Sequence, residues 1–354
     1  MSNPTTGLPV QGVSSLPRFF DRYRGRLTQA LKASLGGDTP GLYDSLQHHM
    51  GWVDTQGLPV AATEGKALRP TLCLFSSEAV GGIWQQAIPG AVALELIHNF
   101  SLVHDDIQDR DEERHHRPTL WSVWGEPKAL VAGNTMRAVA DYTAWGLLEE
   151  GHSERVALEV ARLLTSAYLE MIKGQYLDMS FEGSVDIGVD DYLTMISLKT
   201  GALLRCSMHI GALMGTDDTD TIQAFSECGT ALGQVFQIRD DLLGIWGKEE
   251  LTGKPVGSDI VRRKKSFPVV YALNVASKSE KEVIHSAYAK KIVCEDDAAE
   301  VLNVMEQLNV MDSAQDMAEQ RCQAALRALD SAELAPSAVA DMEQLMNFLL
   351  TREY

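Results

Sequence analysis

Apolar residues recur at spacings of three and four along most of the chain. In one stretch Leu94, Ile97, Ser101 and His104 would share one face of a helix, which leads into an acidic run after Val103. The same spacing returns in two later stretches, at Val156, Val160, Leu163, Leu164, Ala167 and Met171, and at Leu232, Val235, Phe236 and Leu242. No stretch alternates apolar and polar residues in the manner of a β-hairpin. The pattern therefore predicts an all-α protein.

The positions of proline support long helices. No proline occurs between Pro127 and Pro255, or between Pro268 and Pro336, and both stretches are rich in Ala, Leu, Met, Glu and Gln. Proline interrupts helices, whereas these other residues favour them. Loops are expected at residues 36–40, 115–127 and 247–265.

The composition predicts a single main domain and argues against nucleic acid and membrane surfaces as partners. The 354 residues are 45% hydrophobic, and no change in composition divides them. We expect a flexible lead-in over residues 1–18 and one all-α domain, a bundle of long helices, over residues 19–354. The net charge of −18 argues against nucleic acid and against a basic membrane-binding surface.

Two further features concern the compartment. There is no apolar run of about 18 residues, so no transmembrane helix is expected, and the first residues do not resemble a secretory signal. The five cysteines are scattered without a CxxC pair, which argues against a disulfide framework or a zinc site. We therefore expect a cytoplasmic protein.

Two groups of aspartates point to metal chemistry. Asp105, Asp106 and Asp109 form one group, and Asp240 and Asp241 form the other. On a helix, carboxylates four residues apart repel each other unless a cation lies between them. One such group alone would equally fit a solvated charged face. Two groups on separate helices favour a site for Mg²⁺, which binds one or two carboxylates together with substrate phosphates.

Basic residues accompany the aspartates. Lys66 and Arg69 lie one helical turn apart, Arg114 follows the first acidic group, and Lys254 and Lys264 follow the second. Lysine and arginine bind phosphate groups, so this arrangement in an acidic chain indicates an anionic substrate that is bound together with a metal. The sequence contains no GxxxxGK[ST] motif, and His98 alone would equally fit a buried core histidine.

In chain order, these segments resemble the motifs of the trans-isoprenyl diphosphate synthase (polyprenyl synthetase) family. The matching segments are Gly65–Pro70 (GKxxRP), Ser101–Asp109 (first aspartate-rich motif), Arg114–Thr119 (RRGxPT), Gly174–Asp178 (GQxxD), Lys199–Thr200 (KT) and Phe236–Asp241 (second aspartate-rich motif). A segment similar to GKPxGxD follows, and the matches extend from about Gly65 to Pro268.

The resemblance implies an all-α bundle around a deep apolar cavity, usually in a homodimer. It implies that Asp105, Asp109 and Asp240 bind Mg²⁺, with Asp106 and Asp241 in support. The allylic diphosphate would contact Arg114, Lys199, Thr200, Gln237, Lys254 and Lys264. Isopentenyl diphosphate would contact Lys66, Arg69 and His98, with His115 at the position of a further arginine. The implied reaction is ionisation of an allylic diphosphate and attack by the double bond of isopentenyl diphosphate.

The chain departs from the family pattern at several positions. His115 and His116 replace the second arginine and the glycine of RRGxPT, and Gly244 replaces the third aspartate of the second motif. In this family, side chains just before the first motif set product length. Phe100 and Ser101 resemble the pattern of some geranylgeranyl diphosphate synthases, so we expect that product, with farnesyl diphosphate next. Phe100 would equally fit ordinary core packing.

Two other functions remain open at this point. A class I terpene cyclase would use the same metal site without a second diphosphate, but Lys66, Arg69 and His98 are retained. A non-catalytic regulatory subunit of a prenyl synthase would not need to keep its metal ligands, but all five aspartates are present. Elongation is therefore the leading hypothesis.

Overall fold

The computed structural model describes residues 16–60, 65–182, 184, 187–252 and 255–353, and the expected lead-in therefore lies largely outside the described residues. Eighteen α-helices occur in the described residues. They are α1 (Phe19–Ser34), α2 (Leu42–His49), α3 (Leu68–Ala79), α4 (Ile88–Asp109), α5 (Leu120–Trp124), α6 (Glu126–Ala144), α7 (Gly146–Glu149), α8 (Glu154–Glu182), α9 (Val189–Ile196), α10 (Ala202–Gly215), α11 (Thr219–Trp246), α12 (Glu249–Thr252), α13 (Ser258–Val261), α14 (Phe267–Val275), α15 (Lys278–Ala289), α16 (Glu295–Gln307), α17 (Val310–Ala328) and α18 (Pro336–Thr351). The prediction of an all-α fold is confirmed.

Local chemistry explains several helix ends. Proline lies in the first turn of α4, α6, α14 and α18, where the missing N–H costs no hydrogen bond. Asp218 accepts from the backbone N–H of Thr221 at the start of α11, and Ser277 forms a capping box with Glu280 before α15. A five-residue π-helical turn, Ser197–Gly201, connects α9 to α10.

The loops contain more structure than the sequence predicts. Two short strands, β1 (Glu113–Arg114) just before the expected 115–127 loop and β2 (Arg117–Pro118) within it, form an antiparallel hairpin, and α5 follows them. Likewise α12 and α13 lie within residues 247–265. Two-residue strands are too short to produce an alternating pattern, which explains why sequence periodicity does not indicate them.

The long helices pack around one main core. Helix α4 packs against α6 and α3, while α10 packs against α3, α8 and α11, and α17 covers α11. The centre of this core is fully buried and apolar, as at Leu94, Ile97, Leu204 and Val235. Smaller clusters lie around Ile245 and around Tyr192. No helix in the described part of the chain is long and apolar enough to span a bilayer.

Candidate active site

The first aspartate group lies in the last turn and a half of α4. The helix ends there because Arg110 adopts a left-handed conformation, with φ of 59°. Asp105 is half-buried, and burial raises its pKa to about 6. The positive charge of Lys199 opposes this shift, whereas the neighbouring negative charge of Asp109 adds to it. The site therefore holds carboxylates whose ionised forms need a cation.

Asp106 binds Arg114. The Arg114 Nε lies 2.7 Å from Asp106 Oδ1. Burial nevertheless raises the pKa of Asp106 to about 6, against the charge of Arg114. The hairpin of β1 and β2 presents Arg114 to α4, and its two turn residues, His115 and His116, have φ of 51° and 58°. A two-residue hairpin turn in which both residues have positive φ usually has glycine at its second position.

The second aspartate group lies near the end of α11, and its two members have different surroundings. Asp241 is fully buried and accepts from Tyr192, from Gln237 Nε2 at 3.0 Å, from Lys264 Nζ at 2.9 Å and from the Phe267 N–H at 2.8 Å. Asp240 is 38% exposed. Asp241 is thus fixed inside the protein, whereas Asp240 is partly exposed and pairs with Arg352.

Lys199 and Thr200, the KT pair, make contacts with α8 and α11, respectively. Lys199 Nζ lies 2.5 Å from Asp178 Oδ2, and Thr200 Oγ1 donates to Gln237 Oε1 at 2.7 Å. The π-helical turn that carries both residues approaches α8 closely at Gly174. A Cβ added there would lie 2.2 Å from the backbone nitrogen of Lys199. The glycine of GQxxD therefore permits Lys199 to reach this position.

Lys264 interacts with two acids. It lies 2.9 Å from Asp241 and 3.5 Å from Asp259. Burial would lower the pKa of Lys264, but Asp241 and Asp259 outweigh that effect and raise it. Asp259 also packs on Gly244, where an added Cβ would lie 2.2 Å from its Oδ2. The absence of a third aspartate at position 244 is therefore linked to the position of Asp259.

The residues expected to contact isopentenyl diphosphate form a positively charged region beside these acids. Burial and then the charge of Arg352 lower the pKa of Lys66 to about 8, against Asp240. Burial also lowers the pKa of Arg69, whose Nε has no hydrogen-bond partner among the described residues. The pKa of His98 falls well below its usual range through burial and through Arg69. Lys66 and Arg69 bring two positive charges together with the uncharged donor His98, which is a set of groups that suits an anion.

Other expected residues lie nearby. His115 is exposed on the hairpin turn, and its charge contributes to the lowered pKa of His98. Phe100 is buried, and Ser101 is half-buried and donates to the His98 carbonyl at 2.7 Å. Lys254 lies outside the described residues.

Arg352 is a candidate site residue that sequence motifs do not indicate. It follows α18, has only 3% of its side chain exposed, and pairs with Asp240. It also donates to the Phe236 carbonyl at 3.1 Å, while Arg239 donates to the Arg352 carbonyl at 2.8 Å. A single arginine near the chain end has no motif around it, so only the fold could reveal this contact.

The carboxylates fit a metal ion whose coordination is completed by the substrate. Within the described ranges, no three His, Cys, Asp or Glu side chains converge into a ready cage. Asp105 has a raised pKa, and Asp106 Oδ2 is buried without a hydrogen-bond partner among the same residues. Mg²⁺ commonly takes one or two carboxylates and fills its remaining positions with phosphate oxygens and water. The donor set suits that mode of binding.

Comparisons with known proteins agree with this geometry. The sequence profile described as polyprenyl synthetase matches residues 52–305. The chain is 42% identical over 247 residues to a (2E,6E)-farnesyl diphosphate synthase of Mycobacterium tuberculosis, covering 70% of this chain and 67% of that one. It is 39% identical over 293 residues to a geranylgeranyl diphosphate synthase of the same organism, covering 83% of each.

A solved structure has the same fold. The polyprenyl synthetase of Streptomyces coelicolor A3(2) superposes with a TM-score of 0.86 and is 36% identical, covering 94% of this chain and 98% of that one. The sequence match, the fold and the arrangement of acids and cations agree. The chain belongs to the polyprenyl synthetase family of all-α prenyltransferases.

Proposed function

We propose that this protein condenses isopentenyl diphosphate with an allylic diphosphate and releases geranylgeranyl diphosphate, with farnesyl diphosphate as the next candidate product. The main support is the adjacency of two differently charged regions. Asp105 and Asp109 lie beside Lys199, whereas Lys66 and Arg69 lie beside Asp240. Two diphosphates could thus be bound side by side, one with a metal and one with cations.

In this proposal the acids serve the allylic diphosphate. Asp105, Asp109 and Asp240 would hold Mg²⁺, which when bound withdraws charge from the diphosphate leaving group. Asp106 and Asp241 support them through Arg114 and Lys264. The diphosphate itself would contact the following residues: Arg114, Lys199, Thr200, Gln237, Lys254 and Lys264.

The cationic region serves the second substrate. Lys66, Arg69 and His98 would bind isopentenyl diphosphate, with His115 at the edge of this region. Two diphosphates near each other repel, so cations between them lower the cost of binding both. Apolar surroundings would keep water from the allylic cation. No nucleophilic side chain is required, because the attacking electrons come from the substrate double bond.

The product assay that tests this proposal uses Mg²⁺, isopentenyl diphosphate and one allylic primer at a time. Dimethylallyl, geranyl and farnesyl diphosphates are the primers, and products are identified with and without phosphatase. A longer prenyl alcohol that appears only after phosphatase treatment would support elongation. A hydrocarbon or cyclic alcohol without phosphatase would instead establish a cyclase. If no primer yields product, the regulatory-subunit alternative replaces the proposal.

We also propose a homodimer. On α8 the side chains of Leu169, Ile172, Tyr176 and Met179 are 51%, 43%, 72% and 50% exposed. Their spacing places them on one helix face, and a soluble monomer rarely exposes such a continuous apolar stripe. A two-fold symmetric pairing of this face would bury it in both copies.

The pairing can be tested by measuring molar mass. Light scattering should give the mass of two chains for the wild type and of one chain for the double variant Leu169→Glu, Ile172→Glu. Leu251→Glu, on a side chain that is 43% exposed elsewhere, should leave the dimer intact. A wild-type mass of one chain would refute the proposed pairing.

A further inference from the structure

The β1–β2 hairpin carries groups of the candidate site, yet its own strands contribute little to its stability. Arg114 on β1 lies opposite Arg117 on β2, and Arg114 Nε is 2.7 Å from Asp106 Oδ1. His115 occupies the turn between the strands. An isolated two-stranded hairpin is marginal in water, and these strands have only two residues each. The position of Arg114 therefore depends on contacts that the hairpin makes with other elements.

One such contact comes from His48, the penultimate residue of α2. This residue is buried, with only 3% of its surface exposed. Its Nε2 lies 3.0 Å from the Pro118 carbonyl oxygen, and its Nδ1 lies 3.3 Å from a guanidinium nitrogen of Arg117. The ring also meets Trp124 of α5 edge to face, with centroids 5.2 Å apart. Both residues of β2 are thus held by one side chain from another part of the chain.

The two ring nitrogens of His48 have different roles. A carbonyl oxygen only accepts and a guanidinium only donates, so Nε2 donates to Pro118 and Nδ1 accepts from Arg117. This network assigns the neutral imidazole with its hydrogen on Nε2. The same guanidinium nitrogen of Arg117 also donates to the Val53 carbonyl at 2.7 Å, in the segment that follows α2. Arg117 therefore binds α2 and the segment after it, whereas Arg114 on the opposite strand binds the first aspartate group.

We propose that His48 and Arg117 are positioning residues, which fix the hairpin so that Arg114 can bind the allylic diphosphate. The inference rests on the proposed function. Arg117 occupies the variable position of the segment that resembles RRGxPT, and His48 precedes all of the resembling segments. Like charges directly opposite each other destabilise a hairpin, so an Arg117 released from His48 would compete with Arg114 for Asp106. Loss of the His48 contact should weaken diphosphate binding although it removes no group that touches the substrate.

The experiment measures steady-state kinetics of His48→Ala, Arg117→Met and the double variant, with geranyl diphosphate as the primer. Each single variant should raise the KM for this primer about 5–10-fold, because one charge-assisted contact is misplaced, and should lower kcat less than about threefold. The KM for isopentenyl diphosphate should rise less than about threefold, since Lys66, Arg69 and His98 lie outside the hairpin. A merely structural role would instead reduce the active fraction without separating the two KM values.

The double variant tests whether the two residues act as one unit. Because both single variants break the same contact, the double variant should raise the primer KM no more than about twofold above either of them. In His48→Asn the amide oxygen can replace Nδ1 as the acceptor from Arg117, so the primer KM should return to within about threefold of wild type. His152→Ala is the matched control, since this half-buried histidine contacts the Gln86 carbonyl near the opposite end of α4. It should leave both KM values unchanged.

A second readout does not depend on turnover. Calorimetry with inorganic pyrophosphate and Mg²⁺ should show about 5–10-fold weaker binding to the single variants than to wild type. An unchanged primer KM or pyrophosphate affinity in the folded variants would overturn the inference, as would additive effects in the double variant. If His48→Ala does not fold, Arg117→Met alone decides the inference. A wild type that binds pyrophosphate but elongates no primer would overturn the proposed function, and the calorimetric comparison would then decide the role of the pair.

Discussion

The Arg352 guanidinium and the Asp240 carboxylate bind each other across 112 positions of the chain. Arg239 reinforces this contact by donating to the Arg352 carbonyl. The last helix is thereby fastened to the second aspartate motif, at the carboxylate that we propose as a metal ligand. Arg352 and the proposed metal would therefore bind the same carboxylate, that of Asp240.

Arg352→Gln should lower the free energy of unfolding by about 1–3 kcal/mol, because the part-buried Phe236 carbonyl loses a charged donor. Urea denaturation gives this difference. The matched control is Arg327→Gln, since Arg327 is exposed in the last turn of α17. Equal stability of Arg352→Gln and wild type would show that the contact adds nothing to the fold.

Asp105→Ala should reduce turnover by roughly 10²–10³-fold, which is the usual loss when one charge-stabilising group is removed. It should not lower the thermal midpoint, because burial already disfavours the ionised Asp105. Steady-state kinetics and thermal denaturation provide the two readouts. Glu113→Gln, at an exposed acid on the hairpin, serves as the control. Wild-type turnover in Asp105→Ala would contradict the proposed metal site.

His49 should make stability depend on pH. Burial and the charge of Arg114 lower its pKa from 6.5 to about 3. Below pH 6.5 the unfolded chain therefore binds a proton that the folded protein does not, and stability falls as the pH falls toward 3. Between pH 7 and pH 5.5, wild type should lose about 1 kcal/mol relative to His49→Gln. Parallel pH dependences of unfolding would contradict this assignment.

Gly244→Ala should destabilise the protein by about 1–3 kcal/mol, because its Cβ would overlap the carboxylate of Asp259. Asp259 is buried and held by Lys264, which limits its ability to move away. Gly25 on α1 is the matched control, since nothing lies within 4 Å of an added Cβ there. Gly25→Ala should instead stabilise by about 0.5–1 kcal/mol. Chemical denaturation of both variants decides whether position 244 requires glycine.

The sequence predicted the helical fold and the order of the acidic and basic motifs. Helical periodicity is strong in long amphipathic segments, and proline marks several of their starts. The motifs are short and local, so Asp105 and Asp109, or Lys199 and Thr200, can be recognised without a structure. The roles proposed for these residues remain predictions.

The contacts between distant elements were not predictable in this way. The contact of Tyr168 with Phe100 depends on how α8 packs on α4, and that of Arg352 with Asp240 depends on the path of the last helix. Neither Tyr168 nor Arg352 belongs to a recognisable local pattern. The β1–β2 hairpin was missed because its strands contain only two residues each.

Asp240 and Asp241 are consecutive in α11, and only one of them is fixed by four donors. Because the backbone at Asp241 cannot shift without breaking those bonds, the backbone at Asp240 is held as well. The freedom left to Asp240 is rotation about its two side-chain torsions. If a metal and a diphosphate replaced Arg352, Asp240 would then need only a change of side-chain rotamer. The conformational entropy of Asp240 is therefore already restricted before substrate binds.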